Sequence, residues 1–162
     1  MPETKILYLL RNPIHRIWSQ VGMSMKERNI KSLDDIDPDV LKRVLEIGSQ
    51  EALSDYAGNV RKWREFYPEE QTFIGFFDQL VEDSPQLLRD VFDFLGIESG
   101  DAVIPPTARR VSNKGSGPEI PPAFLEHLTE LFLPQLQDLH DLFGNAYTER
   151  WLNEAKGVHT SA

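Results

Sequence analysis

Leu9-Leu10-Arg11-Asn12-Pro13-Ile14-His15-Arg16-Ile17-Trp18-Ser19 is the stretch that decides how the rest of the chain is read. Residues 5–10 form a short apolar run stopped by a charge, the pattern of a strand buried on both faces. Asn12-Pro13 breaks that strand. Pro13 suits the first turn of a helix, where a missing N–H costs nothing, and Ile14, Ile17, Trp18, Val21 and Met25 then fall on one stripe. The expected unit is strand, tight turn, helix. The carboxyl edge of such a strand is where α/β sheets bind ligands, because the helix N-terminus offers unpaired amides and a positive dipole end. Arg11 stands at that edge and can fork onto a phosphate, while the Ser19 hydroxyl, about a turn and a half into the helix, can add a third hydrogen bond. The plainer role for Arg11 is a surface salt bridge at a strand end; its spacing from Pro13, Arg16 and Ser19 favours phosphate. Ser19 follows Arg11 in this, since a lone helix serine usually faces solvent. Arg16 serves either the phosphate or an acidic neighbour.

Working outward, Asp37-Pro38 reads as an N-cap and first-turn proline opening a helix with Val40, Leu41, Val44 and Leu45 on its apolar face. Residues 51–66 give a third helix with Leu53, Tyr56, Val60 and Trp63 inward. Residues 71–77 are aromatic and β-branched between Pro68 and Asp78, which makes a second strand. Ser84-Pro85 caps a further helix with Leu88, Val91, Phe92 and Leu95 inward, and Gly96 sits where a left-handed C-cap is expected. Turn formers then dominate residues 99–122, a long loop of the kind that is usually either functional or disordered. A helix over 124–143, whole or broken at Pro134, closes the core with Leu125, Leu128, Phe132, Leu136, Leu139 and Phe143 near one face. Residues 1–152 form one domain in this reading, and 153–162 a flexible tail.

Two strands separated by helices imply a parallel pair, which is few for a sheet of that kind. Either a homodimer or a partner chain completes the sheet, or helices dominate the fold, or the front half of the domain is missing. At 162 residues and 40% hydrophobic the chain has the material for one ordinary core. Its net charge of -9 opposes loose association with nucleic acid or an anionic membrane. With no cysteine, disulfides, thiolate metal sites and thiol nucleophiles are excluded, and the cytoplasm is the fitting compartment. The apolar run before Arg11 is too short for a signal-peptide core or a membrane span.

The segment Arg11-Asn12-Pro13-x-x-Arg16-x-x-Ser19 resembles the motif with which sulfotransferases using 3′-phosphoadenosine 5′-phosphosulfate hold the donor's 3′-phosphate. The resemblance continues through Tyr56, Val60 and Trp63, then Phe77-Asp78-Gln79-Leu80-Val81-Glu82-Asp83-Ser84-Pro85 and Phe94-Leu95-Gly96-Ile97. Arg110-Val111-Ser112-Asn113-Lys114-Gly115 is similar to the late loop that closes over the nucleotide. What this resemblance implies is an α/β, P-loop-NTPase-like fold, helix-rich, with a short parallel sheet truncated at its front. It implies transfer of a sulfuryl group to a hydroxyl or amine acceptor that the sequence does not identify. The 3′-phosphate of the donor, or of the product adenosine 3′,5′-bisphosphate, would lie on Arg11 and Ser19, with Arg110, Lys114 and Gly115 closing; no metal is implied. The family's 5′-phosphosulfate loop, of the type Pro-Lys/Arg-Ser/Ala-Gly-Thr/Ser-Thr/Ser, has no counterpart here, and no catalytic base can be named. Phe77-Asp78 stands where tyrosine-glutamate is more usual. The competing expectation is a non-catalytic helical interaction module that keeps the scaffold and offers its sheet edge to a partner.

Other candidates read more simply. His15 sits at a variable motif position and faces solvent or an acidic partner, while His127, His140 and His159 lack metal-ligand spacing. Asp35-x-Asp37-x-Asp39 mimics the start of a calcium loop but lacks its glycine and distal glutamate, so capping is the better account. Trp18, Tyr56 and Trp63 are expected in the core.

Overall fold

The computed structural model describes residues 3–36, 39, 53–110 and 119–157. In chain order its elements are β1 (Ile6–Leu10), α1 (Pro13–Glu27), α2 (Tyr56–Arg64), β2 (Thr72–Phe76), α3 (Phe77–Leu95), α4 (Pro122–Phe143) and α5 (Ala146–Ala155), with short 3-10 turns at Leu33–Asp35, Glu69–Gln71 and Pro106–Arg109. This is a helix-rich α/β chain with a short parallel sheet, as expected. The helix expected from Asp37-Pro38 through Leu45 lies outside the described residues. Two compact units interleave along the chain: Met1–Arg11 with Gly58–Lys114, and Asn12–Ala57 with Gly115–Ala162.

In the first unit β1 and β2 pair in parallel, Ile6 opposite Thr72 through Leu10 opposite Phe76, so both strands end at the same edge. β1 departs from the expectation of burial on both faces. Leu10 is fully buried, but Leu7 is 49% and Leu9 46% exposed, so side chains alternate between core and solvent. A continuous apolar run permits double burial; only the layers packed on a strand decide it. Gly75 leaves room for close approach: a Cβ there would stand 3.0 Å from the Leu9 side chain and 3.1 Å from Phe73, tighter than ordinary contact. Lys5 donates its ammonium to the Phe94 carbonyl and lies 5.0 Å from that ring's centre.

α3 follows β2 without a loop, seven residues before the expected start. The Gln79 amide oxygen accepts from the Phe76 N–H at 2.8 Å and closes its first turn. The helix is interrupted at Asp83 (φ -150°, ψ 76°), and the Asp83 carboxylate accepts the Gln86 N–H at 3.2 Å. The cap of the second half is therefore Asp83, correcting the assignment of that role to Ser84-Pro85; Pro85 occupies a first-turn position that needs no N–H. Leu87 is the buried leucine of this half, whereas Leu88, Val91 and Phe92 are half-buried and Leu95 is exposed. Gly96 ends the helix in the left-handed conformation (φ 75°), as expected.

In the second unit the stripe on α1 is buried as read: Ile14, Ile17, Trp18, Val21 and Met25 all lie inside. α4 packs against α1 and α5. It contributes Leu128, Phe132, Leu136 and Leu139, which are fully buried, while Leu125 is exposed and Phe143 half-buried. The helix runs unbroken through Pro134. α5 is an element the sequence reading did not include; it starts at Asn145, whose side chain accepts from Tyr147 and Thr148 N–H groups, and buries Trp151 and Leu152. It reaches Ala155, three residues into the stretch expected as a tail. On α2, Tyr56 and Val60 are buried, but Leu53 just ahead of it and Trp63 on it are exposed, against expectation.

Candidate functional site

The site grows from the register of the sheet. Because Leu10 lies opposite Phe76, the next residues, Arg11 and Phe77, emerge side by side at the carboxyl edge. They meet: the Arg11 guanidinium lies 4.6 Å from the centre of the Phe77 ring. A contact of this kind contributes about 0.5–2 kcal/mol depending on burial. A ring contact of this kind takes up none of the guanidinium N–H groups as conventional hydrogen bonds, so it is compatible with a forked bond to an anion. A phenol oxygen is not needed for it, so phenylalanine in place of the family's usual tyrosine leaves this support intact.

Arg110 belongs to the same unit. After Gly96 the chain reverses and runs back along α3, tied to it by three side-chain contacts in order. Ser99 donates to the Asp93 carboxylate, Arg89 pairs with Asp101 at 2.5 Å, and Ser84 donates to the Ala108 carbonyl. Ala108 is in the 3-10 turn Pro106–Arg109, which packs on α3, and the Arg110 N–H closes that turn on the Thr107 carbonyl at 2.9 Å. Arg110 is exposed and leaves the turn at the level of the α3 kink. Lys114 and Gly115 lie outside the described residues.

In the second unit Asn12 is the N-cap of α1: its Oδ1 accepts the Ile14 N–H at 3.0 Å, and its Nδ2 donates to Glu154 on α5 at 3.2 Å. Asn12 is only 3% exposed, so these bonds fix the turn that follows Arg11. Arg16 donates from Nη2 to the buried Ser54 hydroxyl at 2.7 Å. Ser19 is half-buried on α1, and His15 is exposed. Of the residues proposed from sequence, Arg11 and Arg110 thus share one unit and Ser19 lies in the other.

Of the acidic run Asp35-x-Asp37-x-Asp39, Asp37 and the helix start expected there lie outside the described residues. Asp35 accepts the Ser32 N–H at 3.2 Å in a capped turn, and His140 bonds Thr148 through Nδ1. Among the described residues no group of three or more histidine or acidic side chains gathers as metal ligands, and no helix is long and apolar enough to cross a membrane.

Sequence reasoning missed two supports, Phe77 beneath Arg11 and Ser84 beneath Ala108. The first had a signal, an aromatic residue directly after the strand that pairs with β1. The second was hidden, because Ser-Pro is a common helix start, and the aspartate one residue earlier took the capping role.

Residues 1–114 match the family model described as a sulfotransferase domain. Among solved structures the chain is similar to a sulfotransferase from Alicyclobacillus acidocaldarius, with a TM-score of 0.66 and 25% identity over 93% of this chain. The chain spans 58% of the length of that structure. No curated protein matches it. Since the family model covers residues 1–114 of 162, the chain belongs to the sulfotransferase domain family.

Proposed function

We propose that this chain binds the 3′-phosphate of 3′-phosphoadenosine 5′-phosphosulfate at Arg11 and Ser19, with Arg110, Lys114 and Gly115 closing over it, in the service of sulfuryl transfer to a hydroxyl or amine. The observation that carries the reading is Arg11 at the sheet's carboxyl edge with its guanidinium seated on Phe77. In the reaction the acceptor oxygen or nitrogen bonds to sulfur, the bond from sulfur to the 5′-phosphate oxygen breaks, the acceptor loses its proton, and adenosine 3′,5′-bisphosphate leaves. Like phosphoryl transfer, this is mainly positioning plus stabilisation of charge on the moving group. The residues named here do the positioning, from the far end of the donor. An arginine forked onto a phosphate makes charge-assisted hydrogen bonds worth about 1.5–3 kcal/mol each.

The test is calorimetry with adenosine 3′,5′-bisphosphate. Arg11→Ala is expected to weaken binding by roughly a hundredfold or more, and Arg11→Lys by less, because an ammonium keeps the charge and loses the fork. Equal affinity for wild type and Arg11→Ala would end the proposal. A second reading, a non-catalytic module that pairs its sheet with a second copy or another chain, is favoured by the half-exposed Leu7 and Leu9 on β1. It predicts no nucleotide binding, and loss of self-association in Leu7→Thr.

A further inference from the structure

The run from Gly96 to Arg110 is not held by a hydrophobic core of its own. Val103 is exposed, Ala108 half-buried, and both arginines at its end exposed. What fixes its course is polar. The three contacts to α3 descend the helix from Asp93 through Arg89 to Ser84 while the returning chain climbs from Ser99 through Asp101 to Ala108. The return is therefore antiparallel to α3 and ends at the kink. α3 itself starts at Phe77, under Arg11, and Ser84 is seven residues on, just past the interruption at Asp83. The returning chain thus comes back toward the edge where Arg11 stands.

The last contact is the strongest constraint. The Arg89–Asp101 pair is on the surface, its aspartate 90% exposed, and such pairs hold weakly. Ser84 is half-buried and grips a main-chain carbonyl two residues before Arg110, and the Arg110 N–H is itself turned into the same 3-10 turn. The interruption at Asp83 makes this possible, because Asp83 takes the capping bond and leaves the Ser84 hydroxyl for Ala108. Resting on the phosphate-site reading above, we infer that Ser84 is a positioning residue: it acts through Arg110, presetting where that guanidinium can reach, so that less ordering is required when an anion arrives.

A double-mutant cycle in the full chain tests this, with adenosine 3′,5′-bisphosphate as the probe and affinity as the readout. Ser84→Ala is expected to lower affinity about three- to tenfold, the scale of one neutral hydrogen bond. Ser84→Thr, which keeps the hydroxyl, restores it. In an Arg110→Ala background Ser84→Ala should change affinity less than twofold, since there is no guanidinium left to place. A serine that merely supports the fold would lower affinity equally in both backgrounds, and that result overturns the inference, as does no loss in Ser84→Ala or in Arg110→Ala alone. The broader reading is checked separately: if Arg11→Ala binds as wild type, the phosphate site fails, whereas loss in Arg11→Ala with no coupling between Ser84 and Arg110 rejects the tether alone. Should Ser84→Ala not fold, Ser84→Cys, close in size but a much weaker hydrogen-bond donor, puts the same question in the same cycle.

Discussion

α1 and β1 are both apolar segments, and they use their apolar residues in opposite ways. On α1 the five residues of the stripe are all buried in the helical unit; on β1, Leu10 is fully buried while Leu7 and Leu9 are about half exposed. A stripe at helical spacing names its own inward face, because every residue on it points the same way. A continuous run at strand spacing names no face, and burial is then set by whatever packs on each side. The contrast teaches where stability in this molecule is concentrated.

The largest expected effect is therefore in the helical unit. Phe132, fully buried on α4, is predicted to cost about 3–5 kcal/mol on substitution by alanine, read as a drop in denaturation midpoint. A cost below about 1 kcal/mol would mean this helical core is looser than its burial indicates. Next comes the sheet's close contact. Gly75→Val should destabilise by about 1–3 kcal/mol, because a Cβ alone would come within 3.0 Å of Leu9 and 3.1 Å of Phe73, and the two methyl groups beyond it must push these side chains further. The smallest effect belongs to the outer face of β1. Leu7→Thr, half exposed and replaced by a β-branched residue, should change stability by less than about 0.5 kcal/mol. A large loss there would show that this face is covered in solution and would sharpen the comparison in favour of a partner.

Much of this fold was legible. Pro13 and the spacing of Ile14, Ile17, Trp18, Val21 and Met25 define α1 to its last buried residue, and Gly96 marks the end of α3. Elements whose definition lies in tertiary context were not legible. Phe77 reads as strand by composition yet begins a helix, and Pro134 lacks the N–H a helix interior requires yet sits within α4. There Leu128 and Phe132 before it and Leu136 and Leu139 after it share one buried face, which holds the helix together across the lost bond. α5, by contrast, carries a legible signal that was not read: Tyr147, Trp151, Leu152 and Ala155 share one helical face behind the Asn145 cap. In the candidate site, Arg11 and Ser19 could be proposed from spacing, since they flank one turn. Phe77 had a signal in its place directly after the strand that pairs with β1, whereas Ser84 could not be given its part, because it contacts a residue distant in sequence.

The central claim is that Arg11 recognises a 3′-phosphate, and two ligands against two proteins test it most directly. Adenosine 3′,5′-bisphosphate and adenosine 5′-monophosphate differ by that one group. Calorimetry should give wild type a preference of roughly a hundredfold or more for the bisphosphate, and Arg11→Ala should remove most of that preference, leaving only the share carried by Ser19 and the closing residues. If wild type binds both equally, or if Arg11→Ala keeps the preference, the guanidinium on Phe77 does not hold the nucleotide.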